Sequence, residues 1–452
     1  MPATPTLPDL LKRRDQSRRA AYTKALDFYN GNQWNTPGTK AQRARRLTLN
    51  YARAIIHKAA ASTLKGRATI VHPDGNADPT TDELARADAV ETALAQVARD
   101  NNLDALDFDT ELDCAVLGDA AYKVYWSAAE NAVRVSAPDV AGLFVWHWPD
   151  DPSRFYRIAN QYKLDADAVE FTLGIPAQKT NTFTESWTLD LYELWHNDTL
   201  IEATPNPYGF IPYVIYPNIR EPKQLWGTSD LDALYDPLRE LNREITQLSL
   251  ILELSGNPIV AMSGVSEATD IAVVPGAVWE LPKDAKAELL DLLQGGGVQL
   301  HINYLTALYR IIHDVAETPR AAFGDTGGAD LSGVALELEL DPLVKKTERK
   351  RITRSLAYRQ RNEMILALLD RFTGTSFSGA RHDIAWGSVL PTDRQRLVEQ
   401  ELAMVTANVH SRRHAADTLG GIDDPDAELA RVIEELTQIA PLTTPAPFGQ
   451  QQ

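Results

Sequence analysis

A single cysteine, Cys114, stands in a chain of 452 residues, which excludes an intramolecular disulfide framework and any zinc site built on paired cysteines. No run of roughly 18 apolar residues occurs. The richest segment, Leu248 to Leu254, is broken by Ser249 and Glu253, so no membrane span and no membrane partner is expected. Met1 to Ala20 holds Lys12, Arg13, Arg14, Arg18 and Arg19 but lacks the apolar stretch of a secretory signal, and no export signal is expected. The pattern Gly-x-x-x-x-Gly-Lys-Ser/Thr is absent, which excludes a nucleotide-hydrolysing phosphate loop of that type. Gly295-Gly296-Gly297 lacks the preceding strand and the following Lys-Ser/Thr and reads as a hinge. Positive charge is also short: 45 Lys and Arg face 62 Asp and Glu, a net charge of −17, the wrong sign for a surface that coats nucleic acid.

What is present is a folded chain of several parts. Hydrophobic residues make up 44% and charged residues 24%, enough for a real core. At about 150 residues per domain the length allows about three domains. The basic residues are concentrated. Up to Arg67 there are fourteen, from Lys12 onward, against only Asp9, Asp15 and Asp27. A second run, Lys345, Lys346, Arg349, Lys350, Arg351, Arg354, Arg359 and Arg361, lies on a helical stretch; taken alone, such runs read as solvated helix faces. Apolar spacing predicts helices over 82–98 and 103–117. Alternation predicts a hairpin, with Tyr122, Val124 and Trp126 leading through a turn at 128–131 to Val133 and Val135. Further strands are expected at 144–148, 154–162, 185–195 and 213–216, which makes the first half mixed α+β.

The second half is dominated by helices. From Ser229, the residues Leu231, Leu234, Leu238, Leu241, Ile245, Leu248 and Leu252 keep a 3, 4 spacing that draws one narrow stripe on a helix. Pro237 fits if it lies in a first turn capped by Asp236, and Ser255-Gly256-Asn257-Pro258 ends the helix. A compact insert follows, with strands at 259–262, 271–274 and 277–281 and a short helix at 285–293. A second long helix runs over 298–317 with Leu300, Tyr304, Leu308, Ile311, Ile312 and Val315. Arg320 to Ser332 reads as a flexible, Gly-rich loop. A third helix spans 333–372, with a kink expected at Pro342. Residues 384–386 read as a lone strand, 392–408 and 424–436 as helices, and the last dozen residues as a loose tail.

Together these pieces resemble the portal proteins of tailed double-stranded DNA bacteriophages. The resemblance rests on Tyr29-Asn30-Gly31-Asn32-Gln33-Trp34, Leu49-Asn50 and 55–66 near the N-terminus. It continues through Trp226-Gly227-Thr228-Ser229-Asp230-Leu231, Leu241-Asn242 and Gly256-Asn257-Pro258. It ends on Glu317-Thr318-Pro319, Phe323-Gly324, Ser332-Gly333-Val334-Ala335-Leu336, Pro342-Leu343, Trp386 and Leu390-Pro391-Thr392-Asp393. It implies a multidomain α+β fold: a mixed wing (1–228), a stem helix (229–257), a small α/β clip (258–297), a second stem helix (298–319) and a tunnel loop (320–332). A kinked long helix returning to the wing (333–390), a helical crown (391–440) and a tail (441–452) would follow. It also implies a ring of about twelve copies around a DNA channel at one capsid vertex of the virion, assembled from chains made in the host cytoplasm. The implied partners are the double-stranded DNA, the terminase large subunit, capsid and scaffolding proteins, and neck or adaptor proteins. Channel candidates are Arg320, Phe323, Gly324, Asp325, Asp330, Lys345, Lys346 and Lys350; the seven stripe residues are stem-packing candidates. For the three lysines, surface or intersubunit ion pairs are the competing reading.

Neither a catalytic site nor a cofactor is expected. His410 and His414 are four apart, but Ser411-Arg412-Arg413 between them offers cations and no Glu base, so they read as surface histidines. Asp423, Asp424 and Asp426 read as a turn into a helix, Asp150-Asp151 as turn chemistry, and Cys114 as a buried small hydrophobe. Trp146, Trp148, Trp187, Trp195 and Trp226 read as packing, without basic residues interleaved. Two alternatives remain open at this stage: another head-tail ring component, or a metal-dependent nucleic-acid hydrolase using His410, His414 and the nearby aspartates.

Overall fold

The computed structural model describes residues 6–73, 79–152, 154–174, 176, 178, 181–256, 259–263, 286–290, 297–325, 333–390, 394–420 and 427–435. They belong to two compact units, residues 1–389 and 390–452. In the first unit, α1 (Leu7–Leu11), α2 (Gln16–Tyr29), α3 (Lys40–Ala44) and α4 (Tyr51–Leu64) lead to β1 (Ala68–Val71) and the helix pair α5 (Thr81–Asp100) and α6 (Leu103–Leu117). A capping box starts α5: the Thr80 hydroxyl accepts the Glu83 N–H, and the Glu83 carboxylate accepts the Thr80 N–H at 2.7 Å. Gly118 ends α6 at φ +99°, and a Cβ there would lie 2.8 Å from the Thr228 carbonyl carbon, so two backbones touch where only glycine fits.

The predicted hairpin forms as β2 (Asp119–Ser127) and β3 (Ala132–Ser136), with Val124 opposite Val135. Next, β4 (Leu143–His147), β5 (Phe155–Lys163), the short α7 (Ala166–Leu173), β6 (Thr182–Trp187), β7 (Leu191–His196) and β8 (Thr199–Pro205) build a five-stranded antiparallel sheet in chain order. The segment 185–195, expected as one strand, is two. Thr188 caps the reversal: its N–H donates to the Leu191 carbonyl at 2.9 Å and its hydroxyl accepts the Leu191 N–H at 2.9 Å, while Leu189 sits exposed at the tip. Trp187 pairs with Tyr192, so the shared face changes parity across the turn and the alternation read through Trp187, Leu189 and Leu191 does not run on into the second strand. Strand β9 (Tyr213–Pro217) pairs with the free edge of β2.

Most of the N-terminal basic run is exposed, as a solvated face would be, but Arg14 and Arg18 turn inward. Arg14 donates to the Val145 carbonyl at 2.8 Å and lies over the Trp146 ring; Arg18 donates to the Leu143 carbonyl at 2.6 Å and stacks on Trp226 at 3.9 Å. Basic residues therefore do interleave with these tryptophans, in space rather than in sequence. Beneath them, Asp119 accepts the Tyr22 hydroxyl at 2.5 Å and the Gly227 N–H at 2.8 Å. Burial pushes its carboxyl up to about 6, with these donors and Arg18 opposing. Because the folded value exceeds the ordinary one, the folded chain holds this proton more tightly between about pH 4 and 6, and the contribution of Asp119 to stability falls as pH rises through that window. Asp119→Asn removes this titration. In urea melts, the stability of the variant relative to the parent is expected to rise by up to about 3 kcal/mol between pH 4 and 7.

The second half begins later than its stripe. Helix α8 (Tyr235–Gly256) starts after Leu231 and Leu234, which lie in turns. The Ser229 hydroxyl donates to the Val116 carbonyl at 2.6 Å and accepts the Leu231 N–H at 3.0 Å, which diverts this backbone from the helix. Pro237 falls in the first turn, as expected. In the insert, β10 (Ile259–Ser263) pairs antiparallel with β11 (Lys286–Leu290). The helix expected at 285–293 is thus a strand in its first half: a short apolar run carries no decisive period, and pairing with 259–263 settles it. The strands expected at 271–274 and 277–281 lie outside the described residues. Helix α9 (Gly297–Val315), a 3₁₀ turn (Arg320–Phe323), α10 (Gly333–Thr373) and β12 (His382–Ala385) complete the unit, and β12 pairs antiparallel with β1. Pro342 lies inside α10 and leaves the Leu338 carbonyl without its helical donor. The second unit contains α11 (Arg394–Thr406), α12 (Arg412–Leu419) and helical residues 427–435.

Candidate functional site

Helix α10 carries its basic run into the protein. Lys346, Lys350 and Arg354 recur every four residues on one face and are all buried, as is Arg361. Lys350 donates to Asp230 at 2.6 Å, and Lys346 approaches the other carboxylate oxygen at 3.4 Å while donating to the Ala316 carbonyl at 3.0 Å. Arg354 grips Glu111 with two bonds of 2.9 Å and donates to the Asn218 carbonyl at 2.7 Å. Arg361 reaches Asp107 at 2.5 Å, where Tyr122 and Arg67 also converge. Burial alone would raise the Asp230 carboxyl, but Lys346 and Lys350 hold it well below the usual carboxylate range. Lys346 and Lys350 are therefore not free to meet phosphates, contrary to the channel role expected of them. Asp230 and the buried face of α10 have already taken their charge. Lys345 is exposed and pairs with Glu348 at 3.1 Å.

The strings that carried the resemblance meet here. Asp230 belongs to Trp226-Gly227-Thr228-Ser229-Asp230-Leu231, Asn218 donates to it at 3.1 Å, and Ala316 precedes Glu317-Thr318-Pro319. Arg349 binds Glu317 at 2.7 Å. Asn242 of Leu241-Asn242 donates to Gln33 at 2.6 Å and accepts the Leu49 N–H at 2.8 Å, while Gln33 donates to Asn50 at 3.0 Å. A chain of amides thus pins the N-terminal segment to α8. The partners Asp107 and Glu111, absent from the sequence expectations, were marked by one signal: acids four apart on the apolar face of α6, with Leu103 and Cys114. Cys114 is fully buried against Arg354, and burial pushes its thiol up.

Of the loop candidates, Arg320, Phe323, Gly324 and Asp325 form an ordered turn rather than a free loop. Gly324 closes the 3₁₀ turn at φ +86°, Arg320 pairs with Asp325, and Phe323 packs edge-on against His313. Asp330 lies outside the described residues.

The stripe divides. Leu231, Leu234, Leu238 and Leu241 are fully enclosed by their own chain, Ile245 and Leu248 are half-buried, and Leu252 is 52% exposed. The first half of the stripe therefore finds its partners within one polypeptide. The unpartnered apolar surface lies further on. At 100° per residue, most apolar residues of α9 fall into two arcs. Leu305, Tyr309, Ile312 and Ala316 beyond its end face the core, whereas Leu300, Tyr304, Ile311 and Val315 lie within about 60° of each other on the exposed side, Leu300 at 74%. On α10, Leu338 and Ile352 stand 73% and 72% exposed. A cavity of about 870 Å³ opens between β9 and α10, walled by Phe155, Phe210, Ile215 and Met364.

In the second unit, His410 and His414 are not independent surface residues. Their rings are 4.4 Å apart, and His410 Nδ1 lies 2.9 Å from the buried Glu401 carboxylate. These three could hold a metal ion; Asp423, Asp424 and Asp426 lie outside the described residues.

Long helices with exposed apolar residues and a mixed α+β core held by buried ion pairs are the features of this fold. The chain matches the family described as phage portal protein, SPP1 Gp6-like, over residues 9–442, and it belongs to that family. Its function is that of a phage portal protein, in DNA packaging and head-tail connection, and the family is structural rather than enzymatic. No protein of curated function matches the sequence. Among the described residues no helix is long and apolar enough to cross a membrane.

Proposed function

We propose that this chain forms a closed ring of about twelve copies at one capsid vertex, with α8 and α9 as its stem and the DNA passing along the axis. The observation that carries the reading is the second apolar arc of α9, together with Leu252, Leu338 and Ile352: apolar surface on helices that stands exposed among the described residues. Covering a leucine that stands three-quarters exposed returns roughly 1–2 kcal/mol, and a closed ring repeats the same contact at every joint. The cavity beside β9 is a recess of the kind that accepts a neighbouring wing.

With 1–228 as wing, 258–297 as clip and 391–440 as crown, the clip would meet the terminase motor and later the neck proteins, and capsid and scaffolding proteins would meet the outside. About twelve copies at −17 give roughly −200 per ring, so phosphates slide past rather than adhere. With Lys346 and Lys350 consumed inside, cationic steering falls to Arg320 and Lys345, each already tempered by a carboxylate. Electron microscopy of the purified protein tests the ring: annular particles with a central hole support it, and compact single chains overturn it. Deleting 324–330 tests the loop: rings that form but no longer package DNA support a channel role, and unaffected packaging removes it.

A further inference from the structure

We infer that Glu401, His410 and His414 form a binding site for a divalent zinc-class ion that fastens α12 to α11 in the C-terminal unit. Three ligand atoms, one from each side chain, lie within 4.8 Å of one another. Their positions are fixed by different means. Glu401 is held by α11, five residues before its end, with its carboxylate side chain 9% exposed. His410 sits in the connection, where its backbone N–H returns to the Met404 carbonyl at 3.3 Å. His414 lies in the first turn of α12, its N–H accepted by the Ser411 hydroxyl at 3.1 Å.

Two imidazole nitrogens and one carboxylate oxygen suit Zn²⁺, with a fourth position left for water. Tetrahedral ligands about 2.1 Å from zinc stand about 3.4 Å apart, so a rotation of the exposed His414 ring closes the set. Arg412 and Arg413 lie between the histidines in sequence but are exposed, where water screens their repulsion of a bound cation. The site holds the segment between the helices, 407–411, against α11, a staple for a small unit with little core of its own. It stands apart from the ring reading, since all three ligands come from one chain and one unit.

The test uses the full chain, free of any histidine tag and stripped with a chelator, then titrated with Zn²⁺ and with Co²⁺. Saturable uptake of one ion per chain, with the visible absorption of low-coordinate Co²⁺, is expected. His410→Ala and His414→Ala should each weaken binding at least about tenfold, while His301→Ala, outside the site, should not. Glu401→Gln keeps the volume of the buried side chain and should weaken binding with its circular dichroism unchanged. A parent protein that takes up no Co²⁺ saturably overturns the inference whatever the variants do, as does full-strength binding in both histidine variants.

Discussion

Asp230→Ala is expected to lower the unfolding free energy by about 3–5 kcal/mol, the loss typical of a buried ion pair stripped of one partner. The carboxylate is the shared counter-ion of Lys346 and Lys350, both nearly inaccessible, and it also accepts from Asn218. Removing it leaves two ammonium groups in the interior with only carbonyl acceptors such as Ala316. Urea denaturation read by circular dichroism measures the loss. The triple change Asp230→Leu, Lys346→Met and Lys350→Met is expected to recover most of it, because an apolar replacement of similar volume needs no counter-ion. A single variant as stable as the parent would show that the cluster does not lock α10 to the base. The pH dependence has a definite sign. The folded Asp230 carboxyl is depressed, so its contribution is complete above the ordinary carboxylate range and is lost as pH falls below it toward the folded value. This is opposite to Asp119, and the two are separable by variant.

Leu300→Glu combined with Leu338→Glu is expected to abolish assembly while leaving the single chain folded. Both side chains stand more than 70% exposed, so the chain owes them little, and substitutions at such positions usually change stability by no more than about 0.5 kcal/mol. In a ring the same two positions would place uncompensated carboxylates in every apolar joint, a cost of several kcal/mol repeated around the circle. Light scattering should report single chains with an unchanged thermal midpoint. Rings of parental size would remove these helix faces from the interface.

How far the sequence reveals this architecture depends on whether each signal is local. The α5–α6 pair and the β2–β3 hairpin were legible because period, caps and turn residues all agree within a few residues. Helix α9 was legible as a helix from its apolar positions, but which of them are covered was not; only the fold shows that Ile312 is enclosed while Ile311 beside it is not. The basic run of α10 misled most. Lysines and arginines every four residues look like a solvated face unless the acids that meet them are known, and Asp107, Glu111 and Asp230 lie more than a hundred residues away. Glu401 was missed for a similar reason at shorter range: a search between the two histidines cannot find a ligand supplied by the preceding helix. The family strings were legible as strings, and the structure supplies a physical cause for several of them, since Asn242, Gln33 and Asp230 are each buried groups with specific partners.

Thiol reactivity tests most directly whether identical chains cover the exposed helix faces. The one native thiol, Cys114, is fully buried, so cysteines introduced singly at Leu300, Leu338 and Ile352 report alone. In dispersed chains each should react quickly with a soluble thiol reagent; in assembled protein each should react far more slowly, with protection that rises and falls with particle mass. Equal reactivity in the two states at all three positions would contradict the account.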